Sequence, residues 1–388
     1  MKVVFFANTD WYLYNFRLSA ALHLKSKGAE VVMLSPTGEF GARFAGHGIR
    51  WLTLPMDRAS LNPVREVLLL RQLIDLLKVE RPDLLHNFTV KCAVYGALAA
   101  RAAKVPAVVN AVAGMGYVFA SDRPKARMLR PILKLLMRGT LAGGHSRLIL
   151  QNPDDVQALT SLRLVPAQKI RLIRSSGVDT SRFCPVPRDA AGGRQPLRVL
   201  LAARLLWDKG IREFVHAAEL MKQKGRNVEF ILAGTPDPGN PRSVDRLTVE
   251  QWHGQGLVNW LGHVEDMPAL LNSVDVMVLP SYYGEGVPRS LIEGAASGLA
   301  LITTDLPGCR EVVAQNGIDG LHVPPRDASA LAALLARLDD DRDLLRRLGD
   351  CARQKALADF DERLVIGKTL EVYDELLRNM APVARAAR

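Results

Sequence analysis

The chain has 388 residues, 48% of them hydrophobic and 23% charged, with 51 Lys and Arg against 40 Asp and Glu and a formal net charge of +11. That hydrophobic fraction excludes a disordered chain, and the length suits two domains that each bury a core. The four cysteines, Cys92, Cys184, Cys309 and Cys351, show no CxxC or CxxH spacing, which excludes a disulfide scaffold, argues against a zinc module and fits a reducing compartment.

The N-terminal run MKVVFFANTDWYLYNF has one lysine, a short apolar stretch and no small-residue cleavage site, so it does not read as a signal peptide. No window of 18 apolar residues lacks a charge, so no transmembrane helix is expected. A protein of the cytoplasm, or of a membrane face, is the expectation. The charge is lopsided: residues 1–188 hold 27 Lys/Arg against 12 Asp/Glu, and residues 189–388 hold 24 against 28. A first half at +15 and a second at −4 point to an anionic partner for the first, be it nucleic acid, a membrane surface or a phosphorylated substrate.

In chain order, residues 3–6 form a short apolar strand and residues 16–27 a helix closed by Gly28. A strand at 30–35, a leucine-rich helix at 63–80 and a strand at 83–86 follow. A small-residue helix at 93–103 and a strand at 107–111 continue the alternation. Residues 183–195 (FCPVPRDAAGGRQ) have the composition of a linker. Beyond it, strands are expected at 197–202, 228–233, 258–261, 274–280, 300–304 and 321–323. Helices are expected at 211–224, 267–272, 289–297, 329–338, 340–357 and 361–379. Apolar strands alternating with helices predict parallel sheets covered on both faces. The fold class is therefore α/β, with two doubly wound, Rossmann-like domains facing a cleft. Their ligands should sit at the carboxyl ends of the strands.

Residues 7–17 (ANTDWYLYNFR) join the first strand to the first helix and are rich in aromatics that can stack on sugar rings or simply pack the helix. His86 ends a strand, where a lone histidine serves either as a core residue or as a site residue. Gly114 to Tyr117 (GMGY) allow a tight turn or close backbone approach. Between 123 and 147 there are seven basic residues and no acid. Arg123, Arg127, Arg130, Lys134 and Arg138 fall within about 80° of one another on a helix, opposite Met128, Leu129, Ile132, Leu133, Leu135 and Leu136. This pattern fits a membrane-surface helix, and also an ordinary helix with its leucines in the core; Pro131 would kink it or mark its first turn.

In the second half, Arg204 and Lys209 follow an apolar strand and precede a helix. Two cations there can grip a diphosphate or pair with Asp208. The loop 262–267 (GHVEDM) offers Val264, with His263 and Asp266 as capping residues. Glu285 and Glu293 are eight apart in GEGVPRSLIEGAASGLALITTD, with Gly286, Val287 and Pro288 turning between them. A loop carboxylate and one on the next helix can hold sugar and ribose hydroxyls, or both can be exposed.

These segments resemble the retaining glycosyltransferases of family 4. The glutamate–glycine–x–proline–glutamate spacing of Glu285 to Glu293 is similar to that family's donor-site motif. The elements at 303–305, 307–308, 310–313, 316–317 and 320–323 follow in its order. Cys309 stands where a glycine is more usual and His322 where a leucine is. Arg204 and Lys209 match the family's R-x-x-x-x-K-G pair. The resemblance implies the GT-B architecture, with an acceptor-binding domain at 1–182, a nucleotide-sugar domain at 196–361 and a final helix, about 362–388, crossing back.

It further implies that Arg204 and Lys209 stabilise the departing diphosphate, that Glu285 holds the donor sugar and Glu293 the ribose. Gly286, Val287, Pro288, Val264 and Gly234 would complete the donor site. Many relatives carry H-x-H near the reacting sugar. Here His86 matches the first histidine and Phe88 replaces the second. The F-T-x-K pattern resembles a subgroup that builds bacterial surface polysaccharides, which nominates His86 and Lys91 as active-site residues. Tyr12, Asn15 and Arg17 become candidates for acceptor binding.

The reaction implied is transfer of a sugar, with retention, from a nucleotide-diphosphate sugar, UDP being the family's ordinary carrier. The acceptor would be a polyprenyl-diphosphate-linked saccharide at the inner face of the cell membrane. No metal or other cofactor is expected. Nucleic acid is excluded as a partner, since no zinc finger, helix-turn-helix or RNA-recognition motif is present. A sugar-nucleotide epimerase on the same fold, or a membrane-bound scaffold without activity, are the alternatives.

Overall fold

The computed structural model describes residues 1–57, 60, 62–114, 131, 134, 137–141, 143, 145–186 and 195–378. It divides into two units, Met1–Ser176 with Leu364–Arg388, and Gly177–Arg363.

The first unit is built on seven parallel strands in the order β3-β2-β1-β4-β5-β6-β7. They are β1 (Lys2–Phe6), β2 (Glu30–Ser35), β3 (Arg50–Thr53), β4 (Leu84–Phe88), β5 (Ala107–Val112), β6 (Ser146–Leu150) and β7 (Ile170–Leu172). The period-two geometry of a strand sorts β1 between two cores. Val3 and Phe5 pack with Leu13, Ala21 and Leu24 of helix Asp10–Ser26 and with Val365, Val372 and Leu376 of helix Glu362–Arg378. Val4 and Phe6 pack on the other face with Leu69, Leu73 and Leu77 of helix Pro63–Glu80. Burial on both faces is why β1 reads as an unbroken apolar run, and why β4 and β5 are apolar apart from the buried His86, Asn87 and Asn110.

The first helix starts at Asp10, earlier than the aromatic run suggests, because the Thr9 side chain caps it by accepting from Tyr12 N at 3.1 Å. Most of the segment expected as a loop is thus its first two turns. Strands β3, β6 and β7 and helix Pro153–Ser161 are not expected from the sequence; β3 and β7 have only four and three residues.

The second unit holds six parallel strands in the order β10-β9-β8-β11-β12-β13. These are β8 (Leu197–Ala202), β9 (Val228–Ala233), β10 (Asn259–Gly262), β11 (Val276–Leu279), β12 (Ala300–Thr303) and β13 (Leu321–His322). Val199 and Leu201 face Phe214 and Met221 of helix Ile211–Gln223 together with Leu331 and Leu335 of helix Ala328–Asp340. Leu200 and Ala202 face Leu291, Ile292 and Ala295 of helix Arg289–Ala296.

The boundary between units precedes the linker-like stretch at 183–195. Val178 N donates to Phe360 O and Glu362 N to Val178 O, each at 2.9 Å. Arg353 donates to the carbonyls of Thr180 and Phe183. These bonds make residues 177–183 part of the second unit, which composition alone does not reveal.

Asp361 closes this seam. Hydrogen bonds from Arg363, then from Thr180, hold its carboxyl down at about 2, against the cost of burial. A carboxyl depressed in the folded state stabilises above its unfolded value and loses that contribution as pH falls through the folded value. Asp361→Asn should therefore lower stability by about 1 kcal/mol at pH 7, allowing for the solvent exposure of Arg363. Urea unfolding at pH 7 and pH 3 should show the gap between variant and parent shrinking at the lower pH.

Candidate active site

In the second unit β8 lies between β9 and β11, and the chain leaves β8 and β11 toward opposite faces of the sheet. At such a switch point the loops at the carboxyl ends part and leave a crevice. Lys209 ends the short turn Trp207–Lys209 after β8, and Glu285 lies in the loop after β11. The two meet: Lys209 Nζ donates to Glu285 Oε1, with side chains 16% and 12% exposed. Ser281 Oγ lies 3.0 Å from both Glu285 Oε1 and the Asp208 carbonyl, tying the two loops together. Asp208 itself is held by Arg242, whose Nη2 and Nε lie 2.6 and 3.0 Å from its Oδ1.

Arg204 stands apart from this knot. Its side chain is 60% exposed and makes an ion pair with Asp237 at 3.0 Å. Asp208 therefore pairs with Arg242, and neither Arg204 nor Lys209 is shown paired with it. Glu293 accepts from Arg289 Nε at 2.7 Å on the same helix face. No side chain caps the start of that helix, which Pro288 precedes. Val287 is buried in the core, anchoring the turn between the two glutamates.

That turn depends on Gly308. Its φ is +84°, and a Cβ there would sit 1.4 Å from the Gly286 carbonyl oxygen. Gly234 is held in a similar way at the end of β9, with φ +133° and the Ala203 carbonyl oxygen 1.9 Å from where a Cβ would be. It bonds Gly262 across the sheet edge, N to O, at 2.7 Å, and Val264 then packs half-buried on the core. Asp266 caps helix Met267–Asn272 by accepting from Ala269 N. The two departures from the family pattern are structural. Burial, with Glu285 nearby, pushes the Cys309 thiol up to about 12, so it packs as an apolar group. His322 Nε2 lies 2.8 Å from the Val313 carbonyl oxygen.

In the first unit the corresponding switch point lies between β1 and β4. A small cavity toward the carboxyl ends of β4 to β7 is lined by Tyr12, Arg17, His86, Gln151, Ser175 and Thr369 among others. Arg17 is buried, with its guanidinium 4.3 Å from the Phe88 ring centre and Nη2 donating to Tyr12 OH at 2.7 Å. The His86 ring lies 4.1 Å from that of Phe88, and its Nδ1 is 2.5 Å from Tyr373 OH. Phe88, in the place of the family's second histidine, thus stacks with both His86 and Arg17. Burial, reinforced by the Arg17 charge, holds the His86 imidazole well below its ordinary value, so it is neutral at pH 7.

Lys91 is not part of this group. Its ammonium pairs with Glu66 at 2.9 Å and donates to the Asp57 and Ser60 carbonyls, fastening the entry to helix Pro63–Glu80. Asn15 donates to Trp11 O on its own helix and does not line the cavity. Arg123, Arg127 and Arg130 lie outside the described residues, as do Met115 to Tyr117 and all six residues of the leucine face. Arg138 is exposed, and Met137 and Leu141 beside it are buried in the core. Among the described residues, no helix is long and apolar enough to cross a membrane, and no group of three His, Cys, Asp or Glu could hold a metal ion.

Three residues with evident roles carried no signal in the sequence. Arg242 lies in a Gly- and Pro-rich loop with nothing to mark it as the partner of Asp208. Asp10 is buried at the first turn of its helix, where its carboxylate accepts from Phe40 N and Gly41 N at 2.7 and 2.8 Å. Tyr373 reaches His86 across 287 residues of sequence.

Two Rossmann-like sheets, one with a cation–carboxylate pair at its switch point, are the architecture of the GT-B glycosyltransferases. The model of "Glycosyl transferases group 1" matches residues 196–341, and that of "Glycosyl transferase 4-like" matches residues 2–151. The chain belongs to the family-4 glycosyltransferases. It is 29% identical to the N,N'-diacetylbacillosaminyl-diphospho-undecaprenol alpha-1,3-N-acetylgalactosaminyltransferase of Campylobacter jejuni, over 98% of this chain and all of that one. It is 26% identical to the UDP-Gal:alpha-D-GlcNAc-diphosphoundecaprenol alpha-1,3-galactosyltransferase of Escherichia coli, over 85% of each. In fold it is similar to Anabaena Alr3699/HepE, solved in complex with UDP and glucose, with a TM-score of 0.77 over 97% of this chain and all of that one at 19% identity.

Proposed function

We propose that this glycosyltransferase moves a hexose or N-acetylhexosamine from a UDP-sugar to a polyprenyl-diphosphate-linked saccharide, with retention and without a metal ion. The observation that carries the reading is the Lys209–Glu285 pair at the switch point of the second unit, a cation and a carboxylate joined where a ligand at the strand ends would lie. The names of the Campylobacter and Escherichia relatives support the lipid-diphosphate acceptor.

In this mechanism Arg204 and Lys209 offset the charge that grows on the diphosphate as its bond to the sugar's anomeric carbon breaks. Glu285 holds donor sugar hydroxyls and Glu293 the ribose, with the backbone at Gly286 and Val264 and the turn at Gly234 shaping the rest. The acceptor oxygen bonds the anomeric carbon on the face the diphosphate leaves. Its proton passes to an oxygen of the departing diphosphate, so no protein nucleophile is required.

The test is protection against thermal unfolding by a panel of nucleotide sugars. At 100-fold excess over Kd the bound donor should add about 2.7 kcal/mol of stability, and a UDP-sugar should stand out. Uniform lack of protection would contradict the donor site. The excess positive charge of the first half supports work at the inner, anionic face of the cell membrane. Co-sedimentation with anionic vesicles should be strong at low salt and weaken at high salt. Binding indifferent to salt and lipid charge would contradict it.

A further inference from the structure

His86 is 2% exposed and Arg17 8%, and both line the cavity of the first unit. Each carries a buried nitrogen, His86 Nε2 and Arg17 Nε, with no hydrogen-bond partner among the described residues. Two nitrogens of this kind in one cavity carry a cost unless a ligand or water meets them. Every element packed on His86 restricts what it can do. Phe5 meets its edge from β1 and Phe88 its face from β4. Helix Asp10–Ser26 brings Arg17 and Tyr12, and helix Glu362–Arg378 brings Tyr373. No carboxylate lines the cavity.

The tautomer follows. Burial raises the Tyr373 phenol, so its hydroxyl keeps the proton. Within hydrogen-bond distance of that hydroxyl is His86 Nδ1, at 2.5 Å. If the phenol donates there, Nδ1 is the acceptor and the ring hydrogen sits on Nε2. The opposite choice would leave a buried hydroxyl hydrogen without an acceptor.

We propose that this cavity is an oxygen subsite for the saccharide acceptor, served by the Nε–H of Arg17 and the Nε2–H of His86, with Tyr373 the residue that positions His86. The ligand atom is a hydroxyl or ring oxygen, which accepts from both nitrogens. Because the imidazole stays neutral, the donor is the same throughout the physiological range. The subsite rests on reading the first unit as the acceptor half; the Tyr373–His86 tautomer does not.

Two-bond proton–nitrogen correlation spectra of the full chain labelled at histidine test the tautomer directly. They should show His86 protonated at Nε2 and bare at Nδ1 from pH 6 to 8. Tyr373→Phe should mix the tautomers and lower kcat/KM about tenfold, the value of one hydrogen bond. Protection by the nucleotide sugar should be unchanged. Because Tyr373→Phe can loosen the core, a second pair decides independently. His86→Gln places an amide nitrogen near Nε2 and should retain more activity than His86→Asn, whose amide lies near Nδ1.

A proton on Nδ1 in the parent, an unmixed tautomer in Tyr373→Phe, or equal activity of the two His86 variants would each overturn the proposal. If the spectra are as expected but no saccharide accepts sugar, the acceptor reading fails and the tautomer assignment stands.

Discussion

Alanine at Arg204 or at Lys209 is expected to lower kcat by about 10²–10³-fold, the usual effect of removing one preorganised group from a developing oxyanion. The two should differ in stability. Arg204 is 60% exposed and makes one ion pair, with Asp237, so its loss should change unfolding by less than about 0.5 kcal/mol. Lys209 partners the largely buried Glu285, and its removal leaves the charge of that carboxylate without its cation. A destabilisation of about 1–3 kcal/mol is expected for Lys209→Ala. Lys209→Ala with Glu285→Gln should recover part of it, because the stranded charge is gone, and should recover no activity. Urea unfolding beside initial rates separates the effects. Full turnover by either single variant would remove the diphosphate role from that residue.

The second large effect is structural. Gly308→Ala would put a methyl group 1.4 Å from the Gly286 carbonyl oxygen and 2.7 Å from that of Glu285, at a φ of +84°. Backbone strain there costs about 1–3 kcal/mol, and the clash adds to it, so a loss of about 3 kcal/mol or more is expected. The turn carrying Glu285 must shift, and protection by the nucleotide sugar should vanish with it. Gly317→Ala is the control. Its φ is +85°, but no atom lies within 4 Å of the added carbon, so the conformational cost alone of about 1 kcal/mol should appear. Equal losses in the two variants would contradict the claim that Gly308 is required for close approach.

Much of the fold could be read in the chain because its strands are buried on both faces. Val3 to Phe6 is apolar throughout since Val3 and Phe5 meet one layer of helices and Val4 and Phe6 the other. The loops after β8 and β11 were legible for a related reason: they follow directly on apolar strands, and the structure joins Lys209 and Glu285 there. The cluster around His86 was less so. Its groups converge from distant segments, as Tyr373 does on His86, and no periodicity links them. The Thr9 cap is masked by the aromatic run after it, so the first two turns of the helix read as a loop in the sequence. Lys91 looked like a site residue beside His86, yet its partner Glu66 lies on another helix. The seam at Val178 and Phe360 leaves no trace in composition because its bonds are between backbone groups.

The most direct measurement follows labelled sugar from a UDP-sugar into a polyprenyl-diphosphate-linked saccharide, with the anomeric configuration of the product read by NMR. The account predicts label in the lipid fraction only when acceptor is present, and a product with the anomeric configuration of the donor. Turnover of the nucleotide sugar to an epimer without acceptor, or a product of inverted configuration, would contradict it.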